Sequence, residues 1–168
     1  MGCYGRRVAS RVQGTVSGKP SGGPLVPALF LPDLDALSHK EALREIVAAA
    51  RAAGAVEAPE EALRILLDRE ILGTTAVGKG VAIPHGRSMV VPRPYLAFAR
   101  SLRGVPWQAP DDEDVHLIFL LLAPDTPPWR GPYLEHLARL AAVGALIGNR
   151  KRLLSAPDLA TVRAILAG

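Results

Sequence analysis

The sequence predicts a single mixed α/β domain, and three observations carry that prediction. The 168 residues, 49% of them hydrophobic, suffice for one substantial core but not two. Two amphipathic helical patterns come first, then several short strand-like runs, then helical patterns again, an order unlike a regular βαβ winding. Finally, "VHLIFLLLA" is almost wholly apolar, as befits a central strand covered on both faces.

Residues 1–27 are rich in Gly, Ser, Arg and Pro, lack a sustained period and read as a disordered basic extension, leaving the domain at 28–168. Leu29, Phe30 and Leu31 suggest a first strand. In "SHKEALREIVAAARAAG", Ser38 and Glu41 form a capping box, Leu43, Ile46, Val47 and Ala50 share a face, and Gly54 ends the helix. Pro59 suits the first turn of a second helix with the stripe Ala62, Leu63, Leu66 and Leu67. "LGTTAVGKGVAIPHG" sets glycines around short strands, the second ending at His85, and "YLAFARSL" alternates as a half-buried strand. Leu134, Leu137, Leu140 and Ala141 predict a helix from Tyr133 to Leu146, begun after Pro132. A last helix is expected from about Ala156 to Leu166, with Ser155 and Asp158 as its cap.

Charge narrows the function classes. Arg6, Arg7, Arg11 and Lys19 fall in the acid-free extension, leaving 16 of the 20 basic residues against all 16 acidic ones. The domain is thus formally neutral, and without the motif of a nucleic-acid reader no nucleic-acid groove is expected. No apolar run is long enough to span a bilayer and no signal-peptide segment is evident, so the expectation is a cytoplasmic protein without membrane insertion. Cys3 is the only cysteine, which removes internal disulfides and thiolate clusters. "MGCYGR" has Arg6 where myristoylation requires Ser or Thr. "GTTAVGKG" fails as a phosphate-binding P-loop because Gly80 follows Lys79.

The four histidines stand in different settings. His85 stands between Pro84, which restrains the backbone, and Gly86, which permits close approach of another molecule. That setting suits an exposed imidazole held in one direction; a merely solvated turn histidine is the competing reading. Neutral imidazole is a nucleophile near pH 7 and can accept and release a phosphoryl group, and a guanidinium such as Arg87 would disfavour imidazolium and bind phosphoryl oxygens. His136 reads either as a residue at the core boundary or as a hydrogen-bond donor near His85. His116 and His39 read as structural or solvated. A zinc site from His85, His116 and His136 lacks ligand spacing, and Asp111 to Asp114 read as solvated loop acids.

Taken together, "REILGTTAVGKGVAIPHGR", the "SHKEAL" helix, a strand ending "LLLAP" and the later "HLARLA" resemble the type-2 IIA domains of the bacterial phosphoenolpyruvate-dependent phosphotransferase system. This is the fructose, mannitol and nitrogen-regulatory group, and the likeness runs from about Leu29 to Gly168. It implies a mixed, mainly parallel sheet flanked by helices on both faces. It also implies His85 as phosphoryl acceptor bordered by Arg69 and His136, with Arg87 demoted to a second choice. The donor would be the carrier HPr or a regulatory homologue and the acceptor a IIB component, with no cofactor or metal. Val81, Ile83 and Met89 are the expected apolar contacts for transient partners. "PDTPPWRGPYLEH" is longer than the usual approach to the second histidine, and no IIB or IIC segment is fused. Two roles stay open, sugar relay and nitrogen-type regulation; the alternative is a regulatory protein-binding module of the same fold that carries no phosphate.

Overall fold

The computed structural model describes Gln13 and residues 25–168. Their order is β1 (Leu29–Leu31), α1 (His39–Ala52), α2 (Pro59–Ile71), β2 (Ala76–Gly78), β3 (Val81–Ala82), β4 (His85–Ser88), β5 (Tyr95–Val105), β6 (Val115–Pro124), α3 (Pro127–Ala145), α4 (Ile147–Leu154) and α5 (Leu159–Ala167). The sheet runs β1-β5-β6-β3-β2, with β4 also beside β6. Strand pairs β1/β5, β3/β6 and β4/β6 are parallel, whereas β2/β3 and the long β5/β6 hairpin are antiparallel.

Alternation along β5 and β6 splits the core in two. Ala97, Ala99, Ile118, Leu120 and Leu122 face α1 and α2, packing with Leu43, Ile46, Val47 and Leu66. Leu96, Phe98, Leu117 and Phe119 face α3 to α5, packing with Leu140, Leu153, Val162 and Ile165. Both faces of "VHLIFLLLA" are therefore covered, the reason this run is apolar throughout. Within "YLAFARSL", Tyr95 to Ala99 are buried on both faces too, because the helices that cover β6 also cover this part of β5, whereas Leu102 is exposed.

The local signals act as their chemistry requires at α1. Ser38 Oγ accepts from Glu41 N (3.3 Å), while the Glu41 carboxylate accepts from Leu37 N (2.8 Å), one residue before the cap. Gly54, with φ +72°, follows the helix. At the other end Asp158 caps α5 by accepting from Thr161 N (2.8 Å), whereas Ser155 instead closes α4.

Several expectations are corrected. Helix α3 starts at Pro127, not after Pro132, because Pro127 and Pro128 occupy a first turn that needs no N–H donors. Pro132 lies inside it. Helix α4, unforeseen, has no side-chain cap at its start; at its end Arg100 Nη1 donates to the carbonyls of Leu153, Leu154 and Ala156. His85 begins β4 rather than ending β3, since Pro84 interrupts the strand that both segments form along β6. Within the stretch expected to be disordered, Gln13 forms an antiparallel bridge with Phe30 and accepts from Leu159 N (3.0 Å), and Pro27 O accepts from Arg163. The remainder of residues 1–24, with Cys3 and the four basic side chains, lies outside the described residues.

Candidate functional site

The site begins with a glycine. Gly86 faces Ile65 of α2, and a Cβ placed there would collide with Ile65 Cγ2, so the missing side chain lets the helix rest on β4. Arg69 lies four residues beyond Ile65 on the same helical face. It therefore arrives beside the neighbour of Gly86, His85, and Arg69 Nε is 3.1 Å from His85 Nε2.

The imidazole is held at both nitrogens. His85 Nδ1 lies 2.6 Å from Ile83 O, and because a carbonyl only accepts, Nδ1 carries the proton. Nε2 is thereby left with a lone pair, which accepts from Arg69. Burial pushes the His85 pKa below the ordinary imidazole range; the Arg69 charge acts in the same direction, against the Ile83 carbonyl and the Glu70 carboxylate. The ring is neutral at pH 7 and its basic nitrogen faces a guanidinium.

Arg69 is itself anchored, Nη1 donating to Gly73 O (3.0 Å). The adjoining Glu70 accepts from Thr75 N (2.8 Å), Thr75 Oγ1 (2.5 Å) and Trp107 Nε1 (3.0 Å). The "RE" pair thus divides its work: one residue points at the histidine, while the other ties the turn after α2 to the β5–β6 loop.

Across the ring stands Tyr133 of α3, its centroid 6.0 Å from that of His85 and its plane inclined by 64°. The Arg87 guanidinium carbon lies 5.2 Å from the same tyrosine centroid, and Arg87 Nη1 is 3.6 Å from Asp125 Oδ1. Tyr133 is buried among Leu121 and Ala123, and that burial pushes its phenol up to about 12. Neither Tyr133 nor Asp125 was singled out from sequence; the unusual length of "PDTPPWRGPYLEH" was the signal that could have drawn attention to them.

His136 stands about one helical turn beyond Tyr133 on α3. It lines a recess with Leu25, Leu96, Arg139 and Leu140, and burial followed by the Arg139 charge lowers its pKa. Of the expected partner contacts, Met89 is 76% exposed, but Val81 and Ile83 are buried beneath α3 to α5. Strand alternation explains this, and Gly144 of α3 packs directly on Val81. The exposed apolar residues flanking the site are instead Ile71, Leu72, Met89 and Val90. His116 Nδ1 donates to Ser101 O (2.8 Å), and His39 packs against Trp107. Among the described residues no three His, Cys, Asp or Glu side chains gather as a metal would need, and no helix is long and apolar enough to cross a membrane.

Comparison with known proteins decides the family. The profile described as "Phosphoenolpyruvate-dependent sugar phosphotransferase system, EIIA 2" matches residues 26–168. The chain belongs to this family. This IIA domain is 39% identical over 147 residues to the nitrogen regulatory protein of Bradyrhizobium diazoefficiens, covering 85% of this chain and 92% of that one. It is 37% identical to the fructose-specific EIIA component of Haloferax volcanii, covering 68% and 73%. Among solved structures, nitrogen regulatory protein IIA-Ntr from Neisseria meningitidis superposes with a TM-score of 0.73 at 36% identity, over 80% and 90% of the two chains. Enzyme IIA of the Escherichia coli mannitol system, in complex with phosphorylated enzyme IIB, shares the fold at 23% identity, with a TM-score of 0.69 over 83% and 94%. The family includes both sugar-transport and nitrogen-regulatory members, and this IIA domain fits a phosphocarrier or regulatory role.

Proposed function

We propose that this IIA domain is a phosphocarrier in which Nε2 of His85 accepts a phosphoryl group from a phosphohistidine on an HPr-type protein in the cytoplasm. The observation that carries this reading is the double constraint on one ring: Nδ1 protonated toward Ile83 O and Nε2 basic beside Arg69. In the transfer, the Nε2 lone pair forms the new N–P bond as the donor's N–P bond breaks, and that bonding pair returns to the donor imidazole. No proton needs to move, because Nδ1 keeps its own. For that lone pair to be free, Arg69 first slides from Nε2 to the equatorial phosphoryl oxygens of the incoming group, where charge resides in the transition state. Its remaining N–H groups suffice, only one being committed to Gly73.

Docking would use Ile71, Leu72, Met89 and Val90, which replace Val81 and Ile83 as the apolar contacts around the histidine. The phosphoryl group then passes to a IIB component or remains as a nitrogen-type signal. The second use is favoured by the regulatory relative, which is matched over 92% of its length against 73% for the fructose relative. Incubation with phosphoenolpyruvate, enzyme I and HPr should label the protein with acid-labile, base-stable phosphate, and His85→Ala should take none. Undiminished labelling of His85→Ala would refute the assignment; transfer of label onward to a IIB protein would mark the sugar-relay role.

A further inference from the structure

Tyr133 packs against His85 and also touches a second cation, Arg87. We propose that Tyr133 is a positioning residue that seats Arg87 beside the phosphorylated ring, with Asp125 as the resting counter-ion of that arginine. The inference rests on the phosphocarrier reading and adds to it a second guanidinium and the device that holds it.

Three features converge. His85 and Arg87 are two residues apart on β4, so their side chains leave the same face of the strand, about 7 Å apart. The Tyr133 ring spans that gap, with the imidazole 6.0 Å from its centroid and the Arg87 guanidinium carbon 5.2 Å from it. This ring does not swing freely, being 7% exposed and packed with Leu121 and Ala123. A guanidinium over an aromatic face is oriented while its N–H edges stay available.

Asp125 supplies the other half. Its Oδ1 is 3.6 Å from Arg87 Nη1, beyond hydrogen-bond distance, and this buried oxygen has no nearer polar partner. Arg87 is therefore attracted to Asp125 but not locked to it, unlike a bidentate pair. A phosphoryl group on Nε2 brings nearly two negative charges and three acceptor oxygens to the same face. Arg87 can turn toward them without breaking a hydrogen bond to Asp125.

The test compares label transfer from HPr, kept phosphorylated by phosphoenolpyruvate and enzyme I, across variants of the full chain. Tyr133→Phe keeps the ring face and should stay within about twofold of wild type. Tyr133→Leu and Arg87→Met should each slow transfer about tenfold, the size of one charge-assisted hydrogen bond. The double variant should be no slower than Arg87→Met alone, because the ring acts through the arginine, and only the ring-removing and arginine variants should alter the phosphohistidine 31P shift. Losses that multiply, or Tyr133→Leu transferring at the wild-type rate, would overturn the proposal. Should Tyr133→Leu fail to fold, Asp125→Asn decides: it should accelerate transfer by freeing Arg87, and a slower rate would count against the proposal. Absence of label on wild type would defeat the phosphocarrier reading and this inference together, whereas labelled wild type with an indifferent Tyr133→Leu defeats only the inference.

Discussion

Gly86→Ala is the most discriminating perturbation of the site, because it leaves every polar group in place. The new Cβ would overlap Ile65 Cγ2, with Ile65 Cβ at 3.6 Å and Leu122 Cδ2 at 3.8 Å leaving no other side to yield. A β-branched residue in a helix has essentially one χ1 rotamer, so Ile65 cannot turn the methyl aside and α2 must lift from β4. Overpacking of this kind costs about 1–3 kcal/mol, which for a chain of this size lowers Tm by roughly 2–10 °C. The same displacement carries Arg69 away from His85, and a misplacement of about 1 Å is enough to slow transfer ~100-fold. Thermal unfolding and label transfer would be measured on Gly86→Ala alone and combined with Ile65→Leu or Ile65→Val. Leucine has no γ-methyl on a branched Cβ and should restore much of both quantities; valine keeps the branch and should restore neither. A Gly86→Ala protein as stable as wild type, or equal rescue by the two partners, would refute this account of how α2 delivers Arg69.

Other consequences are measurable. Arg69→Ala should slow labelling by about 10- to 100-fold, the worth of a hydrogen bond to a charged group, whereas His136→Ala, which removes no hydrogen bond to the His85 ring, should cost less; transfer kinetics of the two variants check the ranking. Because the His85 pKa is lowered, the rate should be flat from about pH 8 to 6.5 and fall only in more acidic solution. Stability follows the same sign: with His85 and His136 both lowered, the unfolded chain binds protons more readily, so Tm should be steady above about pH 6.5 and drop below it, less steeply in His85→Ala. Glu70→Ala should destabilise by about 1–3 kcal/mol in urea unfolding, since Thr75 N and Trp107 Nε1, which both donate to one carboxylate oxygen, lose their acceptor.

How legible each part was in the sequence depended on how local its cause is. The α1 cap, the Pro59 start of α2 and the apolar β6 rest on a few adjacent residues, and the structure has all three where the sequence signals put them. The start of α3 was missed because Pro132 looks like a boundary, while Pro127 and Pro128 make an equally good first turn. The burial of Val81 and Ile83 depends on α3, separated from them by the whole β5–β6 hairpin, so nothing near them announced it. The pairing of Arg69 with His85 was reachable only through resemblance, for their spacing of 16 residues has no periodic meaning and is set by Gly86 meeting Ile65. Tyr133 and Asp125 left no signal beyond an unusual segment length. The charge pattern was half legible: the domain is balanced, but Arg100, Arg139, Arg150 and Arg163 donate to backbone carbonyls, an internal use that counting charges does not reveal.

Trp107 turns one of these contacts into an instrument. Its indole is 2% exposed, and its N–H donates to the carboxylate of Glu70, the residue next to Arg69. Indole emission responds to a neighbouring carboxylate, so in a Trp129→Phe background a movement of Arg69 that pulls on Glu70 should change the colour and intensity of this one remaining tryptophan. Stopped-flow mixing with a phosphorylated donor could therefore follow the arrival of the phosphoryl group in real time, without a radioactive label or an added dye.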